Sequence, residues 1–417
     1  MTSHTLDLGF TARQVEDCLT SIGYWGTAAR REHHACVLTP SAYVLREERQ
    51  LIEQSTALYA AVGKLETTLA ALPRLRRIDH RQSQLLRLAR SASHGLLQPG
   101  EDRATDIPPI VKLDMVRDAA GNWHAVEVDT YNLRPLGVIA LVDAIAKYGL
   151  HEPAYCVVSH LAATLGNDRQ WTIVVSEKER CYRAAYETLA SLLAKMGTSV
   201  RLLGEEEAAH NPSLLKCRDG PLHLLAIPES LDRHPGVREH LLAEYRARSV
   251  RTLYPPKAYL GSKAFLPFLA SQERVNGSIP ATALLTGNIA DCTFSRPRTG
   301  ERIILKSAHS SGSKGIVRQS NEPSFQKTVA EEGRARTPLW VAQQEVSQEP
   351  IPVVVFAGNK RVVRSYYLRL TVYATQGGIA GMKMTGRPEE IVHGAPDAIQ
   401  LPIIRAPRWQ QYLSSMC

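Results

Sequence analysis

Residues 111–137 read VKLDMVRDAAGNWHAVEVDTYNLRPLG. Two apolar-alternating runs, Ile110 to Val116 and Trp123 to Val128, flank the turn-rich stretch Arg117-Asp118-Ala119-Ala120-Gly121-Asn122. A period of two on either side of a turn predicts a β-hairpin. Successive strand residues point to opposite faces, so Lys112 and Asp114 share a face of the first strand. Glu127 and Asp129 share a face at the end of the second. Three carboxylates and one cation are thereby expected at one end of the hairpin. A solvated strand face with ordinary cross-strand charge pairs would carry similar residues. Glu127 and Asp129, however, are like charges on one face, which is costly without a cation between them. Such oxygen ligands suit magnesium, which typically takes one or two carboxylates beside nucleotide phosphates. Asn132, Arg134, Pro135 and Gly137 form a polar, irregular exit.

Working outward, the 417 residues suffice for two or three domains. With 44% hydrophobic and 22% charged residues the chain falls in the globular class and outside the disordered one. The net charge of +9 fits nucleic acid, an acidic surface or an anionic substrate. Lys and Arg are scattered without a long block, which favours phosphate-bearing small molecules and makes a nucleic-acid partner unlikely on this reading. Seven cysteines, an odd number without paired spacing, fit reduced thiols. The N-terminus lacks a signal-peptide pattern, and no apolar run reaches the ~20 residues of a membrane helix. A cytoplasmic protein without a membrane partner is expected.

Along the chain, residues 11–22 predict a short helix begun by Thr11, with Val15, Cys18, Leu19 and Ile22 on one face. Arg30-Arg31-Glu32-His33-His34-Ala35-Cys36 lacks the second ligand pair of a zinc site and reads as a polar loop. Helical spacing recurs from Ser41 to Leu72 and from Ile78 to Ala92. Gly137 to Gly149 predicts a packing helix. Strands at Trp171–Val175, Thr198–Leu203 and Leu222–Pro228, with a helix over Glu179–Met196, predict an α/β unit with parallel strands. Tyr254-Pro255-Pro256-Lys257 marks a boundary, followed by a helix from Gly261 to Gln272. Arg302 to Lys306 predicts a strand, Ser307 to Gly315 a Gly/Ser loop, and Ile316 to Arg318 a returning strand. Such a loop leaves backbone N–H groups free for phosphate oxygens, with Lys306 at its entry and Lys314 within it. A flexible hairpin turn reads the same way. The Walker A pattern is absent. Leu339–Val346 predicts a strand ending in Gln343-Gln344-Glu345, and Ile351–Phe356, Val362–Leu370 and Leu370–Ala374 predict three more.

The order and spacing of these pieces resemble the ATP-grasp ligases, in a circularly permuted form similar to glutathionylspermidine synthetase and its relatives. Lys112-Leu113-Asp114 and Glu127-Val128-Asp129 look like the family's metal hairpin, here preceding the phosphate loop. RIILK followed by SAHSSGSKGIV looks like its nucleotide lysine and glycine-rich lid, AQQEV its hinge strand, and Ser262-Lys263 its earlier ATP lysine. The resemblance covers about residues 110–150 and 254–395. It implies an α/β (α+β) chain divided as a helical N-terminal region (1–105), a metal hairpin with packing helix (106–150), a Rossmann-like middle domain (151–253) and a nucleotide-binding region with its lid (254–417).

The resemblance also implies roles. Lys263 and Lys306 would bind ATP phosphates under a lid of Ser310, Ser311, Gly312 and Ser313. Gln344, Glu345 and Val346 would hold adenine and ribose, and Asp114, Glu127 and Asp129 would hold Mg2+. Lys112 and Arg387 would act near the reacting phosphoryl group. Two departures stand out. Lys112 replaces the usual Arg, turning a bidentate contact into a point charge, and Asp129 replaces the usual Asn, adding a negative charge. The expected activity is ligation of a small-molecule carboxylate to an amine, among amino acids or short peptides; a homodimer is compatible. An ATP-grasp kinase acting on one small molecule, and a basic nucleotide- or nucleic-acid-binding protein with a decayed site, are the alternatives. The scarcity of aromatic-rich basic patches counts against the last.

Overall fold

Hydrophobic alternation and the turn between its two runs produce the hairpin, set within a mixed α/β chain. The computed structural model describes residues 5–21, 37–102, 106–131, 134–148, 153–216, 220–229, 231, 233–285, 302–308, 315–332, 340–393 and 397–405. Ile22, the His33-His34-Ala35-Cys36 cluster, Asn132 and the expected lid residues Ser310, Ser311, Gly312 and Ser313, with Lys314, lie outside the described residues.

The N-terminal region is built from β1 (Thr5–Asp7), α1 (Ala12–Ser21), β2 (Val37–Leu38), β3 (Ser41–Leu45), α2 (Glu48–Ala71) and α3 (His80–Ser91). The helix expected from Ser41 begins only at Glu48. Ser41–Leu45 is instead a buried strand held between β1 and the C-terminal residues Ile403–Arg405. Long-range pairing decides this segment, and local spacing does not disclose it. α3 starts in a capping box, Asp79 accepting from Gln82 N at 2.7 Å.

β4 (Val111–Arg117) and β5 (Trp123–Asp129) form the hairpin, followed by α4 (Arg134–Tyr148) and α5 (Val157–Leu165). Asp118 Oδ1 accepts from Asn122 N at 2.7 Å, and Gly121 supplies the positive φ of +97° that the turn needs. The middle region carries β6 (Gln170–Val175), α6 (Arg183–Ala194), β7 (Ser199–Gly204), α7 (Glu205–His210), β8 (Leu222–Leu224), α8 (Pro235–Arg246) and β9 (Val250–Thr252). Its strands are all parallel in the order β7-β6-β8-β9, as the strand–helix–strand spacing predicts. The helix expected from Glu179 begins as a 3₁₀ segment, Glu177–Tyr182, before α6.

Beyond residue 254 the chain forms 3₁₀ turns at Ala258–Gly261 and Lys263–Phe265, then the short α9 (Leu266–Ala270). The single helix expected from Gly261 is thus broken, with Ser262 capping the second turn through Ala264 N and Pro267 sitting at the start of α9. There follow β10 (Thr282–Leu284), β11 (Ile303–Ser307), β12 (Ile316–Arg318), α10 (Glu322–Glu332), β13 (Trp340–Gln344), β14 (Ile351–Ala357), β15 (Lys360–Thr375), β16 (Gly378–Arg387), β17 (Ile399–Leu401) and β18 (Ile403–Arg405). The two strands expected over Val362–Ala374 are one 16-residue strand. Its first half pairs with β14 and its second half lies between β4 and β16.

The large sheet runs β2-β17-β16-β15-β4-β5, with β14 attached to β15. A smaller sheet runs β10-β13-β11-β12. Leu113, Met115, Leu370, Val372, Met382 and Met384 share a core with Leu51, Leu58, Val62 and Leu65 of α2. The stretch 1–105, expected as a helical addition, therefore also supplies strands and part of the core behind the hairpin.

α2 is fastened a second time. Lys257 Nζ meets Glu66 Oε1 at 2.7 Å, and the Tyr259 hydroxyl donates to Glu66 Oε2 at 2.8 Å, with the two charged side chains 2% and 1% exposed. Removing one partner of a buried pair leaves an uncompensated charge. Lys257→Met is expected to cost about 3–5 kcal/mol, and the double variant Glu66→Met/Lys257→Met to recover much of it. Urea unfolding of the three chains measures both.

Candidate active site

The polar face of the large sheet lies opposite the α2 core. On β4 it carries Lys112 and Asp114, opposite Asp129 and Glu127 of β5 on one side and Tyr373 and Thr371 of β15 on the other. Strict alternation along β5 would turn Glu127 to the same side as Trp123 and Ala125. A bulge prevents this: Met115 pairs with Ala125 and Asp114 with Glu127, leaving Val126 unpaired in the ladder. The bulge directs Glu127 and Asp129 to the polar face and Val128 to the core.

Asp114 is 2% exposed. Lys112 Nζ lies 2.9 Å and Arg369 Nη1 3.4 Å from its Oδ2, and the Thr371 hydroxyl donates to its Oδ1 at 2.7 Å. Burial alone would raise its pKa; Arg369, Lys112 and Thr371 overcome this and hold it well below the usual carboxylate range. Burial likewise opposes the charge on Lys112, but Asp114, Asp129 and Glu127 raise its pKa on balance. Asp129 Oδ2 is 3.7 Å from Lys112, and its Oδ1 accepts from Tyr131 N at 3.1 Å. Gly261 passes close by: a Cβ there would sit 3.4 Å from Asp129 Oδ1.

Lys263 and Lys306 reach the same place from the other region of the chain. Lys263 Nζ is 3.3 Å from Glu127 Oε1. Lys306, on β11, donates to the Val126 carbonyl at 2.9 Å and to Gln343 Oε1 at 2.6 Å. The bulge thus leaves a carbonyl available to the smaller sheet. Burial lowers the Lys306 pKa to about 8, Glu127 opposing and Lys263 reinforcing the shift. Glu127 is held below its ordinary value, burial being outweighed by Lys263 and Lys112. Four cations (Lys112, Lys263, Lys306, Arg369) and three carboxylates meet here.

Several expected residues stand elsewhere or do other work. Asp114 is engaged by two cations and a hydroxyl, and among the described residues no group of three His, Cys, Asp or Glu is placed to hold a metal. The three-carboxylate set is therefore reduced to Glu127 and Asp129, a donor count that still suits magnesium beside phosphates. Gln343 rather than Gln344 points at Lys306: it is 1% exposed, accepts from that lysine and donates to Thr282 Oγ1 at 3.1 Å. Gln344 pairs with Ile303, on the side facing the Ala342–Phe325 cluster. Glu345 lies past the strand end and is bound by Arg318 Nε at 2.8 Å; Val346 is also past it.

Arg387 is bound to Asp397 through Nε and Nη2, each at 3.0 Å, and to Ile391 O and Glu389. This network occupies it. Arg369, two strands from β5, is the arginine that joins the cluster, and its buried Nε has no hydrogen-bond partner among the described residues. Sequence reasoning missed Arg369 because only the β4–β15 register brings it to Asp114.

Compared with known proteins, the sequence matches no family model and no curated protein.

The shifted amine gives a direct check. Lys306 is expected to titrate near pH 8 in competitive amine labelling followed by peptide mass analysis, against 10.5 for an ordinary lysine. Glu127→Gln removes the opposing anion and should lower that value further. Between pH 8 and 10.5 the unfolded chain binds the extra proton, so the stability penalty from Lys306, full below pH 8, fades as pH rises through this window. Denaturation of wild type and Lys306→Met across pH 7–10.5 should show the difference moving in favour of wild type.

Proposed function

We propose that the chain is an ATP- and Mg2+-dependent carboxylate–amine ligase with a circularly permuted ATP-grasp arrangement. The observation that carries this reading is the meeting of Lys306 and Lys263 with the Val126 carbonyl and Glu127 of the hairpin. Lys306 of the small sheet whose strands flank the Gly/Ser stretch, and Lys263 of a 3₁₀ turn, face paired carboxylates on a second sheet, with a cationic surplus suited to phosphates. On this reading the nucleotide would lie between the two sheets, its phosphates against Lys263, Lys306 and Lys112.

Glu127 and Asp129 would hold magnesium, which neutralises phosphate charge during transfer. ATP supplies a γ-phosphoryl group to the carboxylate substrate, giving an acyl phosphate whose phosphate an amine then displaces. The protein supplies position and charge. Lys306 is fixed by two acceptors before any ligand arrives, so little reorganisation is required of it. Arg369, whose Nη1 lies against Asp114, has a buried Nε–H without a partner among the described residues, a donor that a substrate oxygen would satisfy. Burial of Lys112, Asp114 and Lys306 keeps water from the reacting group. A kinase would use the same lysines and carboxylates but need one acceptor only; no residue here favours it over the ligase.

The test is ADP release by the purified chain with ATP, magnesium and pooled amino acids and short peptides, with product masses. Release that requires both a carboxylate and an amine, with a condensed product, is expected. Release with one acceptor and a phosphorylated product would replace the ligase by the kinase. Glu127→Gln and Lys306→Ala should each lower turnover by about 10²–10³-fold. Full activity in either variant would remove that residue from the site.

A further inference from the structure

Residues 73–80, Pro73-Arg74-Leu75-Arg76-Arg77-Ile78-Asp79-His80, are exposed without a break. They connect the end of α2 to α3. Leu75 is 48% and Ile78 37% exposed, two of the four large apolar side chains so exposed among the described residues. Residues 74–90 hold six arginines against one carboxylate, Asp79. That carboxylate caps α3 and is engaged with its first turn. Arg74, Arg76, Arg77, Arg87 and Arg90 are exposed, and none makes a hydrogen bond or ion pair among the described residues. Arg87 and Arg90 lie one turn apart on the solvent side of α3, while Leu86, Leu88 and Ala89 turn inward.

We infer that this α2–α3 tip docks on an anionic phospholipid surface. Aliphatic side chains interspersed with arginines suit the boundary between acyl chains and phosphates: Leu75 and Ile78 enter the apolar layer while the guanidiniums stay at headgroup level. Each arginine adds attraction to a negative leaflet, and Asp79, the one carboxylate of the segment, is engaged as the cap of α3. Eight consecutive exposed residues offer an open stretch of surface, which a flat, fluid membrane meets without needing a complementary cleft. Nucleic acid fits less well, because residues 60–122 contain no Phe, Tyr or Trp on which bases could stack. No described helix is long and apolar enough to cross a membrane, and this contact needs none. It is peripheral and reversible, and it stands whether or not the site turns over ATP.

The experiment is co-sedimentation of the full chain with phosphatidylcholine vesicles and with vesicles containing phosphatidylglycerol, at low and physiological salt. Binding is expected only to the anionic vesicles and should weaken as salt rises. Arg74→Ser/Arg76→Ser/Arg77→Ser should weaken it about 100-fold. Leu75→Ser/Ile78→Ser leaves the charge unchanged and should weaken it about tenfold or more. Absence of binding, or binding that neither variant alters, overturns the inference. So does dependence on the arginines alone together with equal binding of polyglutamate or RNA, which would make an acidic macromolecule the occupant. All substituted side chains are exposed, and circular dichroism checks that the variants are folded.

Discussion

Asp114 keeps its charge although almost none of its surface meets water, and much of the large sheet is arranged around that fact. A carboxylate so placed would be neutral unless cations and donors surrounded it. Lys112 comes from its own strand, Arg369 and Thr371 from the next, and Lys112 in turn lies near Asp129 of the other neighbour. These contacts exist in one register only. A slip by one residue would send Asp114 into the α2 core and Leu113 or Met115 into the charge cluster. The same constraint thus fixes the polar face and the apolar face together.

Sequence patterning reads those parts whose cause is local. The hairpin ends fall within a residue of the alternation in Val111–Arg117 and Trp123–Asp129, because an Asx-type turn and a glycine lie between two alternating runs. Lys263 and Lys306, the two lysines that the resemblance singles out, also lie against the hairpin. The misreadings share a different cause. Ser41–Leu45 becomes a strand through partners nearly 360 residues away, and the continuity of Lys360–Thr375 hides a change of partners half-way along. Arg369 and Gln343 enter the site through register. The bulge that leaves Val126 unpaired follows from a pairing geometry that alternation alone does not encode.

Lys306 connects the two sheets. Its acceptors, a bulge carbonyl and a glutamine oxygen, are neutral, so the ammonium is oriented without being neutralised. The depressed pKa is the electrostatic signature of that arrangement. Phosphate oxygens brought between Lys306 and Lys263 would stabilise both charges, and affinity for an anion is the counterpart of the strain the two lysines impose on each other. Glu127 moderates this repulsion in the absence of a ligand, and magnesium would compete with Lys263 for its carboxylate.

The segment that brings Lys263 to Glu127 has little regular structure of its own. It is two 3₁₀ turns, and short turns of this kind hold their shape only when anchored from outside. Lys257 and Tyr259 anchor the first turn to Glu66 of α2, Ser262 closes onto the Ala308 carbonyl at 3.3 Å, and Gly261 fits against Thr130 because it has no side chain. α2 therefore acts on both faces of the candidate site: its leucines support the sheet that bears Asp114, and Glu66 sets the path that leads to Lys263. A helix whose apolar spacing looks like ordinary covering for a sheet is also the element that holds two distant parts of the chain in register with each other.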